Sequence, residues 1–167
     1  YLPDDRKLYF NNIEYLTSSF IFDYYGNINA KAHSLMKHIR FLHQYDSMQC
    51  GITCLQMICE YYGKRYSLSF LEKLCTPTTE GISLLGLSKA ANYLGFDTIC
   101  TQIDITNLSK YPLPCILHWN QNHFVILYKM RKDKRFYIAD PSKGLIKYNL
   151  EEFKSHWIST RLKDKEQ

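Results

Sequence analysis

Splitting an amide bond takes a nucleophile, a base and a group that orients the base, and the sequence offers cysteine, histidine and aspartate for these tasks. Cys50 opens an apolar-periodic run. Ile52, Leu55, Ile58 or Cys59, and Tyr62 fall three or four apart, which reads as one buried helical face. Gly63 follows as its stop. Cys50 therefore sits at or just before the first turn of a helix, where unpaired N–H groups and a partial positive charge stabilise an anion. A thiolate in that place is favoured and competent as a nucleophile at neutral pH. Cys54 and Cys59 lie further along the same helix and read as buried.

The base must come from six histidines: His33, His38, His43, His118, His123 and His156. His123 opens a strand directly after the polar turn Asn120-Gln121-Asn122, at a sheet end where sites are commonly displayed. A hairpin turning on Arg131 to Lys134 sets Met130 opposite Arg135, which carries Asp140 to a place opposite Val125. His123 is then a diagonal neighbour of Asp140 on the same face, at roughly 7–8 Å between backbones. A tighter turn sets the two directly opposite. In either register a carboxylate can fix the imidazole tautomer and ring orientation. A slip of one residue flips one side chain to the other face and breaks the pair. Taken alone, Asp140 is a strand-ending Asp-Pro turn that bonds its own backbone. His118, within an apolar strand beside Trp119, is the competing base and lacks so well-placed a carboxylate. Gln44, in the loop before Cys50, carries an amide that can donate to an oxyanion together with the Cys50 N–H.

The elements that must hold these residues follow from the pattern. Ser67 or Ser69 opens a second helix with Leu68, Leu71 and Leu74 on its apolar face, and Ser69 with Glu72 has capping-box spacing. Leu84, Leu87, Ala91 and Leu94 mark a third that ends at Gly95. The period then changes. Residues 96–103, 115–119, 123–130, 135–140 and 145–148 are short β-branched or aromatic runs separated by turn chemistry. Leu150 to Trp157 reads as a final helix packed back on the sheet, and Ile13 to Tyr25 as an amphipathic helix without chemistry. Helices first and antiparallel strands second make an α+β domain, a helical N-terminal layer on a C-terminal antiparallel sheet.

Composition agrees with one folded domain: 46% hydrophobic and 15% aromatic residues rule out a disordered chain. No run approaches the ~18 apolar residues of a transmembrane helix, so this piece is expected to be soluble. The chain opens on Tyr1 and reads as a piece of a longer protein or a processed product. A net charge of +5, spread along the chain, reads as a solvated surface, and no nucleic-acid partner is expected. Cysteines at 50, 54, 59, 75, 100 and 115 mostly fall in apolar patterns and without Cys-x-x-Cys spacing. They read as free thiols in a reducing compartment, not as disulfides or a metal site.

These motifs carry a resemblance. Residues 44–55, Gln-Tyr-Asp-Ser-Met-Gln-Cys-Gly-Ile-Thr-Cys-Leu, resemble the signature of the cysteine peptidase domain at the N-terminus of bacteriocin-processing ABC transporters. His123-Phe124-Val125-Ile126-Leu127 and Tyr137-Ile138-Ala139-Asp140-Pro141 resemble that family's histidine and aspartate segments. Tyr61-Tyr62-Gly63, Gly81-Ile82 and Leu94-Gly95-Phe96 match its connecting pattern. The resemblance implies a papain-like fold, with Cys50 as nucleophile, His123 as base then acid, Asp140 orienting the imidazole and Gln44 in the oxyanion hole. It departs from the family pattern at Gln49, often Asp, at Ile52, often Pro, and in the length of residues 1–37.

The same resemblance implies an endopeptidase that cleaves a leader peptide after a double glycine before export, with the leader held as a helix in an apolar groove. It divides the chain into an extension (1–37), a peptidase domain (38–158) and a polar tail (159–167) leading toward a transmembrane region. The partners it implies are the leader peptide and the transmembrane and ATP-binding domains of the same transporter. No cofactor is expected in this domain, since ATP belongs to the nucleotide-binding domain. The location is the cytoplasmic face of the bacterial inner membrane. The rival is a catalytically silent domain that binds the leader without cutting it, and a second is peptide-bond transfer by the same three residues.

Overall fold

The computed structural model describes residues 9–11, 18–23 and 38–157. Helices α1 (Cys50–Tyr61), α2 (Leu68–Cys75) and α3 (Leu84–Tyr93) come first, as the periodicity predicts. Ser67 and Ser83 cap α2 and α3 by accepting from the N–H groups of Phe70 and Gly86. The capping box expected from Ser69 and Glu72 does not form. Ser67 takes the cap, and Glu72 instead accepts a 2.5 Å bond from the Gln49 side chain, in the loop before α1.

Strands β1 (Tyr9–Asn11), β2 (Ser18–Asp23), β3 (Asp97–Gln102), β4 (Cys115–Trp119), β5 (His123–Arg131), β6 (Arg135–Asp140) and β7 (Gly144–Tyr148) form one sheet, and α4 (Leu150–Trp157) closes the described chain. From β2 the sheet runs through β4, β5, β6 and β7 with antiparallel neighbours throughout. β3 pairs with β2 antiparallel and with β1 parallel. The helix expected over residues 13–25 is corrected here, because residues 18–23 extend as β2 and pair with β4 through Phe20 and Ile116. The rest of that stretch, and the polar tail, lie outside the described residues.

Both faces of the sheet are covered. Phe124 and Ile126 of β5 join Ile52, Leu55, Ile58, Leu87 and Ala91 of the helical layer. Val125 and Leu127 face the other way, onto Trp119, Phe136, Ile138, Phe153 and Trp157. A strand buried on both faces reads as an unbroken apolar run, which is why β5 continues from His123 as Phe-Val-Ile-Leu. The α1 helix is enclosed on more than the single face expected, since Ile52 through Leu55 and Met57 through Cys59 are all buried. Each fully buried Leu or Ile there contributes about 2 kcal/mol.

Gly51 lets α1 approach its neighbours. A Cβ at that position would lie 2.6 Å from Ile82 Cγ2 and 3.1 Å from both Leu87 and Phe124. Gly51→Ala gains about 1 kcal/mol of helix propensity. Overpacking against a stiff β-branched side chain costs about 1–3 kcal/mol, so the loss wins. The melting temperature should fall by several degrees in a calorimetric scan, and a rise would show that Ile82 moves aside freely.

Candidate active site

The loop before α1 turns the chain into the helix and leaves its first turn open. Asp46 Oδ1 accepts from the Met48 N–H at 2.8 Å and the Asp46 carbonyl from the Gln49 N–H at 3.3 Å. Gln49 is the N-cap, yet its side chain caps nothing, and no acidic residue stands in the first turn. It reaches instead to Glu72 and to the Tyr45 N–H. Cys50 is thus the first helical residue, 5% exposed, beside N–H groups that no side chain has neutralised.

His123 Nε2 lies 2.7 Å from Asp140 Oδ1. Asp140 is buried and the His123 side chain is 18% exposed. The register that brings them together is reached by an unexpected route. At the turn the pairs are Arg131–Arg135, Met130–Phe136 and Lys129–Tyr137, one residue away from the expected Met130–Arg135 alignment. A bulge between Leu127 and Lys129 absorbs that residue, so Leu127 faces Ile138 and Ile126 faces Ala139. Continued by one step, this sets Asp140 opposite Val125, with His123 as its diagonal neighbour.

Cys50 lies close enough to His123 to act on its ring, and with Nε2 engaged by Asp140 the nitrogen open to the sulfur is Nδ1. Burial works against a charged imidazole at His123. The hydrogen bonds to Asp140 and Cys50, and their charges, outweigh it and push His123 up to about 9. Burial likewise opposes the Asp140 carboxylate, but bonds from His123 and Ser142 hold it below its ordinary range. At neutral pH the raised His123 ring carries its proton beside the Cys50 sulfur, an arrangement able to hand a proton to a leaving group.

Ser142 was not singled out in the sequence. Its N–H and Oγ donate to Asp140 Oδ1 at 2.9 and 2.8 Å, and its Oγ lies 3.5 Å from His123 Nε2. The Asp-Pro-Ser turn carried the signal, since an Asp side chain commonly accepts from the residue two positions on. Both readings of Asp140 therefore hold: it serves its own turn and the histidine. The Gln44 N–H donates to the Pro141 carbonyl at 2.9 Å, which ties the nucleophile loop to this turn. The Gln44 side-chain Nε2 donates to the Asp46 carbonyl at 2.8 Å, while its Oε1 is buried with no partner among the described residues.

Cys54, Cys59, Cys75 and His118 have other roles. Cys54 is fully buried and donates to the Phe124 carbonyl at 3.4 Å, and burial pushes its thiol up. Burial also pushes Cys59 and Cys75 up to about 12. The His118 ring packs on Phe124 with centroids 5.2 Å apart, and burial holds it below the usual imidazole range. Among the described residues no cluster of three or more His, Cys, Asp or Glu is arranged to hold a metal. No described helix is long and apolar enough to cross a membrane.

Residues 38–164 match the family model of the peptidase C39 family. The chain is 30% identical over 126 residues to the colicin V secretion/processing ATP-binding protein CvaB of Escherichia coli, covering 75% of this chain and 18% of that protein. It is 33% identical over 129 residues to the lactococcin-G-processing and transport ATP-binding protein LagD of Lactococcus lactis, covering 74% and 18%. The chain thus spans less than a fifth of the length of the curated relatives it matches. Among solved structures it resembles a double glycine motif protease from an AMS/PCAT transporter in complex with the leader peptide. The identity is 31% and the TM-score 0.66, over 74% of this chain and 88% of that one. It also resembles the peptidase domain of Streptococcus ComA, a bi-functional ABC transporter, at 27% identity and a TM-score of 0.67, over 73% and 94%. The α+β fold is that of these papain-like peptidase domains. With this match and the thiol, imidazole and carboxylate gathered at one sheet end, the chain belongs to the peptidase C39 family.

Proposed function

We propose that this chain is the cysteine endopeptidase domain of an ABC exporter and cuts a double-glycine leader from a bacteriocin-like or other secreted peptide. The observation that carries the reading is the His123–Asp140 bond of 2.7 Å beside a Cys50 that opens an uncapped helix. In this reading His123 Nδ1 takes the Cys50 proton, and the thiolate adds to the carbonyl carbon of the second glycine. The oxyanion accepts from the Cys50 N–H and from Gln44, whose Nε2 keeps a second hydrogen beyond the one given to Asp46. The imidazolium then protonates the departing amine as the C–N bond breaks, leaving the leader as a thioester. Water, deprotonated by His123, attacks that thioester and frees the leader carboxylate and the Cys50 thiol.

The orphaned Gln44 Oε1 supports keeping this residue in the site. A buried acceptor without a donor costs about 1–3 kcal/mol, which suits a loop held in place for chemistry better than one shaped for stability. The same reading takes residues 38–158 as the peptidase unit, with 1–37 as an extension and 159–167 leading toward a transmembrane region. Transmembrane and ATP-binding domains of the transporter are then its partners, at the cytoplasmic face of the membrane. The domain itself needs no cofactor.

A peptide carrying a double-glycine leader should be cut after the second glycine, as located by mass spectrometry. Glycines at the cut suit a narrow channel that excludes side chains. Replacing both by leucine should displace the scissile carbonyl and slow cleavage by about 10²-fold or more. Undiminished cleavage of the leucine peptide would overturn the proposed specificity. Leader binding without any cut would favour the silent binding domain.

A further inference from the structure

Trp119 and His123 form the last pair of β4 and β5, so Asn120, Gln121 and Asn122 alone separate the strands. Asn120 and Gln121 adopt left-handed backbone, with φ of 47° and 70°. Asparagine visits that region readily, whereas glutamine persists there only when its surroundings hold it.

One residue of α4 grips this turn twice. The Asn120 N–H donates to the His156 carbonyl at 3.1 Å, and His156 Nδ1 lies 3.0 Å from Asn120 Oδ1. The amide oxygen can only accept, so the imidazole nitrogen donates. The carbonyl is one of the last in α4, which find no partner inside their own helix. The His156 ring lies flat on Trp119, with centroids 5.2 Å apart and planes at 14°, and leans on Tyr148. From β4 the His118 ring bonds to the Gln121 backbone. Two histidines outside the chemistry, His118 and His156, thus hold the turn that delivers His123.

We propose that His156 is a positioning residue for His123: the last turn of α4 clamps Asn120 and so fixes where the β4–β5 turn sets the imidazole between Cys50 and Asp140. The inference rests on His123 as the base. The titratable and hydroxyl groups that meet His123 are Cys50 from α1, Asp140 from β6, Ser142 beyond it and His118 from β4. A variant at His156 changes none of them. Any movement of the His123 titration therefore reports its geometry toward Asp140.

Three variants divide the contributions. His156→Ala removes the side-chain bond and the ring stack but keeps the carbonyl bond to Asn120. His156→Phe keeps the stack and the carbonyl bond and loses only the side-chain bond. His156→Asn returns a donor near the Nδ1 position. Two profiles are measured across pH: kcat/KM on a double-glycine leader peptide, and the rate of Cys50 alkylation by iodoacetamide, mapped by mass spectrometry. His156→Ala should lower kcat/KM about tenfold, a partial share of the ~10²-fold that a 1 Å misplacement costs, with KM within about twofold. The alkaline limb should fall below the wild-type value of about 9 in both profiles. His156→Phe should behave like His156→Ala, and His156→Asn should recover most of the loss. An alanine variant with unchanged rate and limb would overturn the clamp, as would a phenylalanine variant as good as wild type. If the alanine variant does not fold, the phenylalanine and asparagine variants decide. If wild type cuts no leader while the alkylation limb still falls in His156→Phe and returns in His156→Asn, the clamp stands and the functional reading fails.

Discussion

Cys50→Ala should abolish the proposed cleavage of a double-glycine leader, lowering kcat/KM by at least about 10⁴-fold, the scale set by loss of a nucleophile from a coupled trio. Nothing nearby can substitute. Cys54 follows one turn along α1, but its proton is committed to the Phe124 carbonyl and burial pushes its thiol well up. The substitution deletes one buried sulfur and leaves the helix and its open first turn in place, so the fold and the leader affinity should persist. Titration calorimetry on the variant with uncut leader checks the second half. Residual turnover above about one part in 10³, blocked by thiol reagents, would reassign the nucleophile.

Asp140→Asn should lower kcat/KM at pH 7.5 by about 10²–10⁴-fold while leaving the turn nearly intact. Asparagine keeps an oxygen to accept from Ser142, but it loses the charge that supports the imidazolium. With that support gone, the burial of His123 acts unopposed by Asp140. Its titration should drop from about 9 toward or below the ordinary imidazole value near ~6.5. The alkaline limb of kcat/KM, which reports the free enzyme, should move down with it. Stability carries the same sign. A histidine raised in the folded state stabilises fully below ~6.5, and the contribution disappears as pH rises through about 9. Wild type should therefore lose stability across that window, and the variant should not. Asp140, held low, adds the mirror image: its contribution is present above the usual carboxylate range and is lost on acidification. NMR titration of the His123 ring in both proteins decides the matter, and an unmoved value in Asp140→Asn would remove the carboxylate from the mechanism.

The helical layer was legible in the sequence because each helix carries an apolar period, reinforced by a serine cap at α2 and α3 and by a glycine after α1 and α3. The strands were legible because polar turns separate them. The register of the catalytic hairpin was harder. Phe124 through Leu127 are buried on both faces, so alternation vanishes where the bulge at Tyr128 had to be read. The expected pairing is found at the site end only because that bulge offsets a turn that starts one residue away. Residues 18–23 misled for a related reason. Phe20, Ile21 and Tyr24 fit a helical period, but Phe20 and Phe22 also fit a strand, and pairing with β4 decides between them. Ser142 and the bond from Gln44 to Pro141 involve turns far apart in sequence, which no local pattern joins.

That backbone bond from Gln44 to Pro141 has a bearing on biosynthesis. It links the start of the nucleophile loop to the turn that ends the site, ninety residues beyond the thiol counting from 50 to 140. At ~5–20 residues per second a ribosome needs roughly 5–20 s to cover that distance. For most of that interval the nascent chain carries a thiol without His123, and until its end a thiol without Asp140 and a loop without its Pro141 anchor. In the proposed reading the site stays incomplete until the chain as far as Pro141 has emerged and closed, so order of synthesis delays its chemistry.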